Sequence, residues 1–159
     1  MDRSTDPWFL TDVDGLLTEV ARRHDLYAGL DVVAAVDTSP DRLLLGCEPL
    51  PPMPRLSSGY EAWAHARDVL EKVFIRLCPE RGPGDPPLCT IHLLRCREGR
   101  VVPTTDEGAM GYAMLHANNW VQAFVGEVIT LTPHGWRIHH RGGVTPTLTS
   151  LGAKHLRAV

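Results

Sequence analysis

The sequence predicts a single α+β domain in which helices pack mainly on one face of an antiparallel or mixed sheet of five or six strands. Two observations support this class. Apolar residues recur at helical spacing in three segments, and short apolar runs bounded by turn residues follow each segment. The predicted order is helix-strand-strand three times and then a C-terminal helix, as expected for an antiparallel sheet covered by helices.

Length and composition agree with one globular domain spanning 1–159. A chain of 159 residues can bury roughly two thirds of its unfolded surface. The apolar fraction of 43% and the charged fraction of 22% are typical of a folded protein. No stretch reaches the roughly 18 apolar residues of a membrane helix, and the start of the chain lacks the features of a signal peptide. We therefore expect a cytoplasmic protein with no membrane partner.

The first predicted helix begins at Asp6, which would cap it, with Pro7 in the first helical position. Its apolar stripe has the spacing of three and four that buries one face. Two strands, 31–36 and 42–47, then form a hairpin across a turn. Their apolar runs are continuous rather than alternating, so we expect the hairpin to be covered on both faces.

A proline-rich connector, 48–57, leads from this hairpin to the second helix. It is too rigid for a helix and lacks the amide donors of a central strand. Ser58 and Glu61 fit a capping box that would open a helix ending near Leu77. The segment 79–88, rich in proline and glycine, is then expected to be an exposed loop.

Strands over 89–95 and 100–102 are predicted to lead into a central helix over 105–118. Thr104 and Glu107 have the spacing of a capping box, which fixes the start of this helix.

The middle of the central helix, 109–115, is apolar on every side, so we expect it to be covered all round. Gly108 and Gly111 each cost about 1 kcal/mol relative to alanine inside a helix. Their presence indicates that another backbone packs closely there.

The last predicted hairpin pairs 127–132 with 136–141 across a two-residue turn, His134-Gly135. One face then carries Ile129, Leu131, Trp136 and Ile138. The opposite, polar face carries Thr130, Thr132, Arg137, His139 and Arg141.

Basic and hydroxyl side chains in a row are suited to phosphate or carboxylate groups, so this polar face is the candidate anion- or partner-binding site. The alternative is a solvated strand face. A final helix over 149–157 would follow.

The candidate catalytic residues are two histidines and an asparagine. His116, Asn119 and His134 could form an acid-base pocket between the helix 105–118 and the hairpin 127–141, since histidine titrates near neutrality. No nucleophile motif or phosphate loop accompanies them. The sequence therefore favours a protein that is not an enzyme and predicts no cofactor.

The four cysteines have no spacing of a zinc site and are predicted to be free, buried thiols. We predict no metal site. Cys89, His92 and Cys96 invite a metal interpretation, but His92 and Cys96 would lie about 13 Å apart on a strand.

Charge is distributed unevenly along the chain. Residues 1–127 carry a net charge of −7, whereas residues 128–159 carry +4. The basic segment could meet an anionic partner or dock on the acidic part of its own chain. Nucleic-acid binding is disfavoured by the net charge of −3 and by the apolar helix 105–118.

Taken together, these features predict a non-catalytic accessory module that binds a protein partner or self-associates as a homo-oligomer. The alternative is an enzyme or small-molecule binder that uses the pocket of His116, Asn119 and His134. An anionic ligand is possible in either case.

Overall fold

A five-stranded mixed sheet forms the centre of the computed structural model, which describes residues 6–118 and 123–139. The strand order is β2-β1-β3-β4-β5. In chain order the elements are α1 (Val13–Arg23), β1 (Asp31–Asp37), β2 (Leu44–Pro49), a 3₁₀ turn (Leu56–Ser58), α2 (Tyr60–Leu77), β3 (Cys89–Cys96), α3 (Thr105–Ala117), β4 (Phe124–Thr132) and β5 (Gly135–Ile138). The predicted α+β class with a mixed sheet is confirmed.

Three of the strand pairs are antiparallel, and the pair β3 and β4 is parallel. The parallel pair arises because the chain passes from β3 through α3 to β4, a crossover that returns the chain in the same direction. The predicted repetition of helix-strand-strand is wrong in its middle unit, since 100–102 is not a strand.

The side chain of Arg97 explains the missing strand. Its guanidinium donates hydrogen bonds to the backbone carbonyls of Glu98, Arg100 and Val102. Carbonyls that already accept hydrogen bonds from one side chain do not form the regular hydrogen bonds of a β-strand pair.

Helices cover both faces of the sheet. One core joins α2 and α3 to side chains such as Val33, Ile91 and Leu93, and a second core joins α1 to Val32 and Leu94. Two of the three described helices thus share a face, which matches the prediction only in part. Continuous apolar runs in β1 and β3 make this possible, because alternate residues of a strand point to opposite faces. The cover is incomplete over β2, whose side chains are partly exposed.

The predicted start of α1 at Asp6 is wrong. The helix begins at Val13, and the side chain of Asp12 caps it by accepting a hydrogen bond from the amide of Gly15 at 2.9 Å. Asp12 has the same capping chemistry as Asp6 and lies where the buried stripe of α1 begins. Tertiary packing of that stripe selected the later cap.

The capping box predicted for α2 is also absent. The hydroxyl of Ser58 donates to the carbonyl of Arg55 at 2.6 Å and so serves the 3₁₀ turn instead. Gly59, with a φ of 150°, becomes the N-cap without a side-chain bond. The end of α2 at Leu77 is as predicted, and the loop 79–88 is exposed over most of its length.

The capping box of α3 is confirmed. The hydroxyl of Thr104 accepts from the amide of Glu107 at 3.4 Å, and the Glu107 carboxylate accepts from the amide of Thr104 at 2.8 Å. The expected all-round cover of α3 is wrong, because Tyr112 and Leu115 are each 56% exposed. Only the apolar residues of α3 that face the sheet and α2 are buried. The other apolar residues of the helix have no element of the described chain packed over them.

The close approaches expected at the two glycines of α3 involve side chains rather than backbone. A Cβ at Gly108 would meet the ring of His139 at 3.4 Å, and one at Gly111 would meet Val128 at 3.5 Å.

The last hairpin has a different turn from the predicted one. Ile129 pairs with Ile138 and Thr132 with Gly135, so the turn residues are Pro133 and His134. The register differs from the prediction by two residues, which preserves the assignment of side chains to faces. Thr132 explains the change, since its hydroxyl accepts from the amide of His134 at 3.1 Å and closes this turn.

Candidate functional site

The polar face of the last hairpin is covered by α3 and is not a solvated face. Thr130 and Thr132 are buried, and the side chain of Thr130 bonds to Glu107 of α3. Arg137 and His139 are partly buried on the same side, and Arg141 lies outside the described residues. The two threonines therefore cannot contact a partner or an anion from solvent.

Two of the three residues of the predicted acid-base pocket, His116 and His134, are described by the structure. His116 lies nine residues after Glu107 on α3, a distance of about 14 Å along the helix. His134 lies in the turn after β4. The end of β4 is close to the start of α3, because Thr130 bonds to Glu107. Asn119 lies outside the described residues. His116 and His134 thus lie near opposite ends of α3.

A polar cleft of about 640 Å³ lies at the start of α3. Arg95 of β3 spans it, with Nε 3.3 Å from the carboxylate of Asp31 and Nη1 2.8 Å from that of Asp106. Asp106 also accepts a hydrogen bond from the amide of Ser57 at 3.2 Å. Arg95 thus joins β1, β3 and α3, and Asp106 extends the connection to the 3₁₀ turn.

A second ion pair lies beside this cleft. Arg97 donates through Nε to the Glu107 carboxylate at 2.6 Å, and Glu107 is only 1% exposed. The remaining donors of Arg97 serve backbone carbonyls. Because these cations and carboxylates satisfy one another, the cleft has the character of a structural network rather than of an open anion site.

The protonation behaviour of the three carboxylates differs. Burial raises the pKa of Asp31 to about 6, against the opposing attraction of Arg95. Burial also favours a higher pKa at Asp106. The hydrogen bond from the Ser57 amide and the charge of Arg95 outweigh it and hold the pKa of Asp106 below its usual value. Burial is likewise outweighed at Glu107, where the hydrogen bond from Arg97 lowers the pKa.

A different part of the molecule exposes a group of aromatic side chains, which we call the aromatic surface. It consists of Tyr60 and Trp63 of α2 with Tyr112 and His116 of α3. Ring centroids are 5.8 Å apart for Tyr60 and Trp63, 5.7 Å for Trp63 and Tyr112, and 4.4 Å for Tyr112 and His116. Tyr60 is 73% exposed. These rings therefore support one another while facing solvent.

The aromatic surface contains a shallow hollow of about 400 Å³, lined by Leu56, Gly59, Tyr60, Trp63 and Tyr112. Trp63 is its half-buried centre, and its indole Nε1 finds no hydrogen-bond partner among the described residues. Arg67 lies over the indole ring with its guanidinium carbon 5.6 Å from the centroid, a cation–π geometry.

Sequence reasoning missed this surface. It predicted no exposed aromatic group on the second helix and expected the segment 109–115, which includes Tyr112, to be covered all round. The usable signal was the spacing of Tyr60, Trp63 and Arg67, which places them on one side of a helix. Neither the sequence of α2 nor that of α3 indicates that the two helices pack beside each other.

The cysteines are free, as predicted: Cys78, Cys89 and Cys96 are buried, and Cys47 is partly buried. Within 6–118 and 123–139 no group of three potential metal ligands occurs. None of the helices in those ranges combines the length and apolar character needed to cross a membrane.

The fold and site thus define an α+β protein with a buried ionic network and an exposed aromatic surface. No family model matches the chain, and neither a curated protein nor a solved structure gives a significant match.

Proposed function

We propose that this protein is a non-catalytic interaction module that self-associates through the aromatic surface. The observation that carries the proposal is the exposure of Tyr60 and Tyr112 on either side of the half-buried Trp63. Tryptophan, tyrosine and arginine are the residues that dominate the energetics of protein interfaces. Rigid helices hold these side chains in place, so their ordering cost on association is small.

A second copy of the chain is the partner that best fits this surface. Leu115 is 56% exposed and lies three residues after Tyr112 on α3, so an apolar projection stands next to an apolar hollow. A patch that holds both a projection and a hollow can meet itself about a two-fold axis, with each Leu115 in the other copy's hollow.

Charges at the edge of the surface permit this arrangement. Glu61 and Asp68 lie with Arg67 on the exposed side of α2, and Arg67 is 2.7 Å from Asp68. Because both signs are present, two copies of the patch would not repel each other strongly. We therefore expect an association that persists at low and at high salt, since its main contribution is apolar burial.

The test is light scattering coupled to size-exclusion chromatography over a range of protein concentrations at two salt concentrations. The wild-type protein is expected to be a dimer, and Leu115→Lys a monomer. Ile75→Lys is the matched control, since Ile75 is also an aliphatic residue of a helix and is also 56% exposed. It lies near the C-terminal end of α2, away from the aromatic surface that Leu115 adjoins.

Circular dichroism of each variant shows whether it is folded, so that a change in oligomeric mass is not confused with unfolding. A wild-type protein that is monomeric at every concentration would contradict the proposal. So would a dimer that Leu115→Lys and Ile75→Lys affect equally.

A further inference from the structure

Two cysteines from different elements meet at the far end of α2. Cys78 caps the C-terminus of α2, where its amide donates to the carbonyl of Phe74 at 2.9 Å, and Cys89 is the first residue of β3. Their sulfur atoms are 3.4 Å apart and share a hydrogen bond. A buried cysteine that serves only as a small apolar side chain does not need a second sulfur atom at this distance.

The segment that joins the two cysteines, 79–88, is mostly exposed and forms its own local turn. The amide of Gly82 donates to the Asp85 side chain at 3.1 Å, and the amide of Asp85 donates to the carbonyl of Gly82 at 3.1 Å. A disulfide needs sulfur atoms about 2.05 Å apart, so they must approach each other by little more than 1 Å. An exposed loop between them can take up a shift of that size without disturbing the sheet.

The thiol pair also favours the reactive form of one member. The hydrogen-bonded contact between the two sulfur atoms lowers the pKa of Cys89, whereas the same contact and burial raise the pKa of Cys78. A thiolate, rather than a thiol, attacks an oxidant. Cys89 is 0% exposed and Cys78 is 9% exposed, so the Cys78 side is the more accessible side of the pair.

We propose that Cys78 and Cys89 are an oxidation site that closes to an intramolecular disulfide when the protein meets a hydroperoxide. In the first step the Cys89 thiolate attacks one oxygen of hydrogen peroxide. The O–O bond breaks, a sulfenic acid forms on Cys89, and the departing hydroxide takes up a proton as water.

In the second step the sulfur of Cys78 attacks the sulfur of the sulfenic acid. The S–S bond forms, the S–O bond breaks, and the hydroxide leaves as water with the Cys78 proton. The two thiols lose two electrons and two protons in total, and one peroxide is reduced to two water molecules.

The other two cysteines provide internal controls. Burial and the nearby Asp31 raise the pKa of Cys96 to about 12, so its thiolate is scarce at neutral pH. Burial also raises the pKa of Cys47. Neither is in the sulfur pair, and both are expected to remain thiols while Cys78 and Cys89 react.

Trypsin makes the test direct, because cleavage after Arg81 separates the two cysteines into peptides 77–81 and 82–95, while Cys47 falls in 43–55. The folded protein is treated with hydrogen peroxide, quenched with catalase, alkylated in denaturant and analysed by mass spectrometry before and after digestion. Alkylation of the intact chain is expected to fall from four thiols to two. Peptides 77–81 and 82–95 are expected to be joined, and dithiothreitol is expected to release them.

Cys78→Ala and Cys89→Ala should each abolish the joined peptides, whereas Cys47→Ala should leave their yield unchanged. Four alkylated thiols after treatment, recovery of Cys89 only as a sulfinic acid, or a link that includes Cys47 would each overturn the proposal. The wild-type measurement decides the question even if a variant fails to fold. Because the pair lies at the opposite end of α2 from Tyr60, the outcome is independent of self-association.

Discussion

Arg97 and Glu107 form a short ion pair, 2.6 Å between Nε and a carboxylate oxygen, in which Glu107 is almost completely buried. The same carboxylate accepts from the amide of Thr104 and so completes the capping box of α3. One side chain therefore starts the helix and neutralises a partly buried cation. This relationship makes Glu107 the residue through which α3 is fixed to the turn after β3.

Replacing Glu107 by alanine should destabilise the protein strongly. The change leaves the Arg97 guanidinium without its carboxylate, and breaking one partner of a buried ion pair costs about 3–5 kcal/mol. Thr104→Ala should cost only about 1 kcal/mol, because it removes a cap and no charge. Urea denaturation measures both. If Glu107→Ala were no more destabilising than Thr104→Ala, the ion pair would have no energetic importance.

Stability should depend on pH through Asp31. Its pKa is about 6 in the folded protein and 3.8 in the unfolded chain. The folded state thus holds more protons between these values, so this group's contribution to stability falls as pH rises from about 4 to 6. Asp106 and Glu107, with lowered pKa values, act in the opposite sense, and their stabilisation is lost as pH falls.

The variant Asp31→Asn isolates the first contribution. It should raise the free energy of unfolding by about 1–3 kcal/mol at pH 8, because it removes a buried charge and keeps an acceptor for Arg95. The gain should disappear near pH 4. Urea denaturation of both proteins at several pH values measures the difference, and a gain that did not change with pH would contradict the assignment.

Two glycines should respond in opposite directions to alanine. At Gly126 a Cβ would lie 2.5 Å from the His92 ring and 2.8 Å from the carbonyl of Ile91, so Gly126→Ala should cost about 1–3 kcal/mol. At Gly111 the nearest atom is 3.5 Å away, and Gly111→Ala should stabilise α3 by about 0.5–1 kcal/mol. Thermal unfolding of both variants tests the pair, and equal shifts in Tm would contradict the geometry.

The start of α1 can be tested with two aspartates. Asp12→Ala should cost about 1 kcal/mol, because it removes the acceptor for the amide of Gly15. Asp6→Ala should change stability by less than about 0.5 kcal/mol, since its side chain caps no helix. Chemical denaturation compares them. A larger loss at Asp6 would restore the helix start that the sequence favoured.

Local sequence was sufficient where the interacting groups are close along the chain. The capping box of Thr104 and Glu107 was predictable because its partners are three residues apart. The face assignments of Thr130 and Ile129 were predictable because side chains of a strand alternate, and a register error of two residues does not change them. Local information failed where equivalent signals competed, as when Asp12 was selected over Asp6, or Ser58 was used by the 3₁₀ turn.

Tertiary structure alone decided the groupings that carry the proposals. Asp31, Arg95 and Asp106 meet because β1 pairs with β3 and α3 begins above them. Trp63 and Tyr112 meet because α2 and α3 pack on the same face of the sheet. Periodicity and capping indicated most of the helices and strands, although 100–102 is not a strand and α1 begins at Val13. The sequence could not determine which of their surfaces would be covered, because burial depends on segments far apart in the chain.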